Sequence, residues 1–341
     1  MKILLVGSTM KDDNTYGAVQ LNFLKQRLGN YRDVEVYGVK IKKHEDDKDD
    51  PRYYKMLLDE IAKFDLPNFD FIIGVGDSYF SNLHNARGFT KELVLSAFGS
   101  GDLSQWNKRP LFIEFNNQPQ VSNDVPDYVF HHLDVPTDDP RFLYVGHGVD
   151  LTDLCPPESI ENNDTRKLRI YIDHRMPNRN DQTDSILNLM NNPFTNMMFD
   201  VFHHSNMGIV QNQFEESHRS KISKTYKKYP REEMYELYKS MDIYIPTHRE
   251  TLGYTAIELA ACGALIVANP NMFPASIFPK LPVYAYNNFE DINWEYVIKS
   301  ARGMYNKKQR HDKIKSQFAH WHYINSIVEK LHEAKERFNA V

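Results

Sequence analysis

The amino-acid sequence predicts an α/β protein made of two wound domains, each built on a parallel sheet. Three observations carry this. The chain has 341 residues, more than one ordinary hydrophobic core supports. Short β-branched and aromatic runs alternate with longer amphipathic segments. A polar stretch with two prolines, DLCPPESIENNDTRK (153–167), divides those runs into two series.

In the first series the expected strands are KILLV (2–6), VEVYGV (34–39), FDFIIGV (69–75), PLFIEF (110–115), YVFHH (128–132) and RFLYVG (141–146). Helical patterns lie between them, such as YGAVQLNFLKQRL (16–28) and YYKMLLDEIAKF (53–64). The second series runs LRIYI (168–172), FDVFHH (199–204), MDIYIP (241–246), ALIVAN (264–269) and PVYAY (282–286). At the end, KIKSQFAHWHYINSIVEKLHEAKERF (313–338) is amphipathic with no strand after it, and reads as one or two closing helices. The expected domains are therefore 1–155, 156–312 and a helical tail 313–341 that packs back toward the first domain.

Composition narrows the class of protein. A hydrophobic fraction of 41% beside 26% charged residues describes a globular chain rather than a disordered one. No apolar run approaches the roughly 20 residues a bilayer requires. The start, MKILLVGSTMKDDN, is too short in apolar residues for a signal peptide and suits a first buried strand, which points to the cytoplasm. Cys155 and Cys262 form no zinc spacing, and a disulfide is not expected. The net charge of −5 speaks against a protein that simply coats nucleic acid. Residues 1–155 hold 17 Lys+Arg against 24 Asp+Glu, a balance of −7, so the remainder carries +2.

The chemistry concentrates in HRETLGYTAIELAACGALIVANP (248–270), where Glu250 and Glu258 stand eight positions apart in apolar surroundings. Thr251 is a plausible helix N-cap, Gly253 allows a close turn, and Ala256, Ala260, Ala261 and Gly263 let the helix pack tightly. That helix follows one strand and leads into another. In an open parallel sheet, ligands bind beyond the carboxyl ends of the strands, where helix N-termini present N–H groups suited to a diphosphate. Glu250 would then lie at the mouth of such a site, and Glu258, one turn into the helix, could accept from sugar hydroxyls. A buried helix with one chance glutamate is the bland alternative for the spacing alone.

The block from Tyr229 to Pro270 resembles the donor-binding region of retaining glycosyltransferases of the GT-B fold, in their large family 4. These have E-x7-E, a small-residue helix, Cys-Gly and a β-branched strand in this order. The resemblance implies two Rossmann-like doubly wound domains facing a cleft, with a C-terminal helix closing the structure. It implies a nucleotide-sugar donor, a UDP-sugar foremost, with no metal or other cofactor required. Glu250 would face the transferred sugar and Glu258 the ribose. Arg249, Thr251, Leu252, Gly253 and Tyr254 would line the donor site. A basic pair after the first strand of the second domain would hold the diphosphate, and IYIDHRMPNRND offers Arg175 and Arg179. The family's lysine and glycine near there are replaced by Asn180 and Asp181, so Arg179 is a substitute one position early. Glu250 and Arg175 are the expected catalytic residues. Gly17, at a helix start after the first strand, would approach the donor phosphates or the acceptor.

Many relatives carry a histidine after the fourth strand, where this chain has Asn116 and Asn117. An amide can bond a sugar hydroxyl but cannot act as acid or base. Asn116 and Asn117, with Asp77 and Ser78 after FIIGVG, are the acceptor-side candidates. RETLGYTAIELAACG also resembles the phage glucosyltransferases that modify 5-hydroxymethylcytosine, which makes double-stranded DNA the leading acceptor. Support for phosphate contacts comes from HRSKISKTYKKYPR (218–231) and KSARGMYNKKQRHDKIK (299–315), each of which also reads as a solvated face. A bacterial surface glycan or its lipid-linked precursor is the alternative acceptor, and a nonenzymatic nucleotide-sugar binder the alternative class. Asp47 and Asp49 form a D-x-D inside a charge run, which reads as a solvated loop. His131-His132 and His203-His204 point to opposite sheet faces and share no ion; for these and for His320/His322, core or surface positions are expected.

Overall fold

The computed structural model describes residues 1–10, 16–43, 59–60, 63–75, 109–116, 126–158, 166–174, 198–205, 224–226, 231–250 and 252–340. Asp47, Asp49 and most of the pattern at 53–64 lie outside them. The chain forms two compact units: Met1–His147 with Trp321–Val341, and Gly148–His320.

In the first unit, β1 (Lys2–Met10), β2 (Glu35–Lys43), β3 (Phe71–Gly74), β4 (Leu111–Asn116), β5 (Tyr128–His131) and β6 (Phe142–Tyr144) make one sheet in the order β2-β1-β3-β4-β5-β6. Every pairing is parallel. Parallel sheets need cover on both faces, which is why β3 reads as an uninterrupted apolar run and is buried at every position. Helix α1 (Tyr16–Leu28) lays Leu21, Leu24 and Leu28 on this sheet at helical spacing.

The second unit has β7 (Leu168–His174), β8 (Phe199–Ser205), β9 (Lys224–Tyr226), β10 (Ile243–Pro246), β11 (Leu265–Ala268) and β12 (Val283–Ala285), again all parallel. Their order across the sheet is β9-β8-β7-β10-β11-β12. The described helices here are α2 (Arg231–Ser240), α3 (Tyr254–Ala261), α4 (Trp294–Ala301) and α5 (Met304–Phe318). The core places Ile170, Ile172, Ile243, Ile245 and Val267 against Val297 and Ala301 of α4. Each unit is thus a wound α/β sheet of six parallel strands.

The helical tail divides at Ala319. α5 belongs to the second unit, whereas α6 (His320–Asn339) crosses into the first from Trp321 onward. Its stripe Tyr323, Ile324, Ile327, Leu331 and Ala334 joins the core of Ile3, Leu5, Phe71, Ile113 and Phe130. Full burial of each Leu or Ile side chain is worth about 1.5–3 kcal/mol, so this stripe is a main support of the first unit. Polar contacts fix its far end: Lys335 Nζ lies 2.8 Å from Asp70 Oδ1, and Arg337 donates to the Pro140 carbonyl at 2.8 Å. The segment entering the second unit is pinned by Val149, whose N–H donates to the Phe318 carbonyl at 2.8 Å.

Two sequence expectations need correction. β9 lies inside the basic stretch 218–231, where the sequence predicts no strand; Lys224–Tyr226 pairs with β8 as the sheet edge. The second basic stretch is divided between interior and surface. Lys307 and Arg310 are 2% and 7% exposed, and Lys313 Nζ donates to the Leu281 carbonyl at 2.6 Å. These three cations serve the protein's own carbonyls and carboxylates rather than an external phosphate, while Lys299, Lys308 and Lys315 remain exposed. No helix among the described residues is long and apolar enough to cross a membrane.

Candidate active site

A wound sheet opens where neighbouring strands connect to opposite sides, and ligands bind outside the carboxyl ends at that point. In the second unit the order reverses between β7 and β10. Asp173 pairs with Pro246, so the two strands end level with one another. β7 continues through His174 toward Arg175 and Arg179, which lie outside the described residues. β10 continues into Thr247, His248, Arg249 and Glu250.

Strand alternation determines what lies beneath this edge. Ile243 and Ile245 face the apolar core, so Tyr244 faces the other side. There it sits 6.0 Å from the Tyr171 ring, which meets the Tyr238 ring edge-on at 5.4 Å. Tyr244 is fully buried, and its hydroxyl donates to Glu250 Oε1 at 3.3 Å. The same oxygen lies 3.4 Å from His248 Nε2. Glu250 is thus a charged side chain only 8% exposed, held by a phenol and an imidazole, with its own N–H bonded to the Met272 carbonyl at 2.8 Å. Neither Tyr244 nor His248 had been singled out from the sequence. The alternation in IYIP was the available signal for Tyr244.

Arg249 is exposed and Leu252 buried. Thr251 lies outside the described residues, and the helix N-cap is Gly253, two positions later than the sequence reading placed it. Gly253 has φ 71°, and a Cβ there would stand 3.1 Å from the Phe273 ring, so both the turn and the close approach require glycine. No side chain among the described residues caps α3 at this end, so the positive end of its dipole suits an anion. Tyr254 opens the helix, half-buried, and Glu258 lies one turn further, also half-buried.

Arg310 and His311 of α5 hold the opposite end of α3. Arg310 Nε donates to the Gly263 carbonyl at 2.7 Å, and its two other nitrogens reach the Ser300 and Ala301 carbonyls that end α4. His311 Nδ1 donates to the Ala261 carbonyl at 2.7 Å. Cationic groups at helix C-termini are favourable, and these anchor α3 so that its N-terminus holds a fixed direction. Burial, and then the Glu258 charge, push the Cys262 thiol well above its usual range, leaving it inert.

In the first unit the strand order reverses between β1 and β3. Gly17 is the second residue of α1, which follows β1. Asp77, Ser78 and Asn117 lie outside the described residues. Asn116 ends β4, half-buried, and its carbonyl accepts from the His132 N–H at 3.2 Å. His132 follows β5 on this edge but belongs to the core: it is 1% exposed, stacks on Phe115 and packs against Tyr323. Its Nδ1–H donates to the Gly146 carbonyl at 2.7 Å. Burial pushes its pKa down to about 4, so the ring is neutral near pH 7. His131 turns the other way, toward Tyr144 and Phe142.

No family model matches the chain, and no curated protein matches it in sequence. Solved structures match in fold. A glycosyltransferase from Rickettsia africae superposes with a TM-score of 0.65 at 13% identity, covering 98% of each chain. The catalytic domain of starch synthase IV from Arabidopsis thaliana, bound to ADP and acarbose, gives 0.69 at 9% identity over 98% of this chain and 99% of that one. An alpha-glucosyltransferase in complex with UDP-glucose and abasic DNA gives 0.61 at 10% identity, covering 97% and 99%. The chain therefore has the two-unit GT-B fold of these glycosyltransferases over essentially its whole length.

Proposed function

We propose that this protein is a retaining glycosyltransferase that moves a sugar from a nucleotide-sugar, a UDP-sugar foremost, to a hydroxyl group, with 5-hydroxymethylated pyrimidine in double-stranded DNA as the acceptor. The observation that carries this reading is the position of Glu250, a nearly buried carboxylate just past the carboxyl end of β10 at the strand-order reversal. It precedes a glycine-led helix whose N-terminus suits a diphosphate. Glu250 faces the transferred sugar, Glu258 accepts from the ribose hydroxyls, and Arg249, Leu252, Gly253 and Tyr254 line the pocket between them. Thr251, Arg175 and Arg179 belong to the same donor site in this reading, and Gly17 serves the donor phosphates or the acceptor. Arg175 and the α3 dipole stabilise the negative charge that grows on the leaving diphosphate as the glycosidic bond breaks. The leaving phosphate takes the acceptor proton, so no protein base is needed where the family histidine is replaced by Asn116 and Asn117. These two amides, with Asp77 and Ser78, meet the acceptor.

DNA as acceptor is supported by the resemblance of RETLGYTAIELAACG to phage DNA glucosyltransferases, and by the DNA-bound structural neighbour. The test is incubation with UDP-, ADP- and GDP-sugars and either hydroxymethylated or plain DNA, followed by mass analysis of nucleosides. A sugar on the hydroxymethylated base alone is expected. Transfer to glycan or lipid-linked acceptors with none to DNA would overturn the acceptor, and donor binding without turnover on any acceptor would overturn the enzyme. Arg175→Ala is expected to weaken donor binding in calorimetry; unchanged affinity removes Arg175 from the diphosphate site.

A further inference from the structure

We infer that Tyr244 and His248 are positioning residues that fix the Glu250 carboxylate for its work on the donor sugar, an inference that rests on the function proposed above. Three facts carry it. Both side chains converge on one oxygen, Glu250 Oε1, from 3.3 and 3.4 Å. Both are buried, Tyr244 completely and His248 to 3% exposure, so neither can be serving solvent. His248 Nδ1 is buried with no hydrogen-bond partner among the described residues, which leaves Glu250 as the group that orients the ring.

The proton positions follow from donor and acceptor chemistry. An ionised carboxylate only accepts, so the tyrosine hydroxyl donates to Oε1, and a proton on His248 Nε2, 3.4 Å away, faces the same oxygen. With nothing among the described residues to bond Nδ1, the ring keeps its proton on Nε2. Two donors on one oxygen set the direction of the carboxylate, and contacts of this length are common where a working group tightens only in the reacting complex. The backbone assists, because the Glu250 N–H is tied to the Met272 carbonyl. The side chain is thereby fixed from strand β10, from the loop after it and from the turn after β11.

The first test needs no ligand. In the full chain with 15N-labelled histidine, His248 should show the Nε2–H tautomer, assigned by loss of its signals in His248→Gln. Glu250→Ala should move those ring signals toward a tautomer mixture. A His248 ring indifferent to Glu250→Ala overturns the inference, even if the enzyme transfers sugar as proposed. Turnover of UDP-glucose is the second test. A glutamine amide reaches the place of imidazole Nε2 and can donate to Glu250, whereas leucine cannot. His248→Leu should lower kcat about 10–100-fold with KM nearly unchanged, Tyr244→Phe less, and His248→Gln should restore most of the rate. Equal losses in the Leu and Gln variants, or a loss carried by KM alone, would refute positioning. A wild-type chain that turns over no nucleotide sugar while Glu250→Ala still shifts the His248 ring would sink the proposed function and leave the pairing intact.

Discussion

The two ends of β10 each carry one buried acid, and the two acids are treated differently. Asp242, just before the strand, is fully buried and over-supplied with partners. Arg166 grips both its oxygens at 2.7 and 2.8 Å, the Arg169 N–H donates at 2.9 Å, and Lys307 Nζ stands 3.0 Å away. Burial alone would raise its pKa, but the Arg166 hydrogen bonds and the Lys307 charge outweigh that and hold the carboxyl below its ordinary value. Glu250, just past the other end, meets the Tyr244 hydroxyl at 3.3 Å and His248 Nε2 at 3.4 Å. A structural charge needs every lone pair satisfied, because each unmet one costs free energy in a low-dielectric interior. The amino end of the strand therefore ties distant segments together through Asp242, while the carboxyl end lies where open parallel sheets bind ligands.

Removing the structural acid should have the largest effect. Asp242→Asn leaves Lys307 and Arg166 facing no carboxylate, and should cost about 3–5 kcal/mol in denaturant unfolding; a loss under 1 kcal/mol would make the cluster dispensable. Glu250→Ala should reverse the pattern, with turnover down about 100–1,000-fold and an unfolding midpoint within error of the wild type. Parallel losses of stability in both variants would erase the contrast between the ends of β10.

His132 sharpens the comparison as a buried ionisable group given no counter-charge. Its folded pKa of about 4 lies below the unfolded value near 6.5. The unfolded state therefore binds more protons between those limits, and stability present at pH 7 is lost as pH falls from 6.5 toward 4. The difference amounts to about 3 kcal/mol. His132→Phe should flatten that part of the stability-versus-pH curve, and an unaltered slope would show that other groups carry it. Gly253→Ala should have the smallest effect, about 1–2 kcal/mol for the left-handed backbone. Its donor affinity should fall as well, because the start of α3 shifts; a variant with wild-type stability and affinity would show that the turn tolerates a side chain.

Much of this fold was legible because parallel strands buried on both faces are written as short apolar runs. PLFIEF and MDIYIP became β4 and β10 within two residues at either end. β9 was not legible: three residues, Lys-Thr-Tyr, in a basic stretch carry no such run, and only pairing with β8 makes them a strand. The fate of the cations in 299–315 was equally hidden. Lys307 and Arg310 look like surface residues by type, and their burial follows from carbonyls and a carboxylate 47–66 positions away.

The sequence by itself determined the wound α/β class, the E-x7-E spacing of Glu250 and Glu258 and the glycine that starts their helix, because periodicity and turn chemistry are local properties of the chain. Only the tertiary structure decided which partners each of these charges meets. Asp242 and Glu250 are eight residues apart and chemically alike, and they differ in the partners that distant segments bring to each.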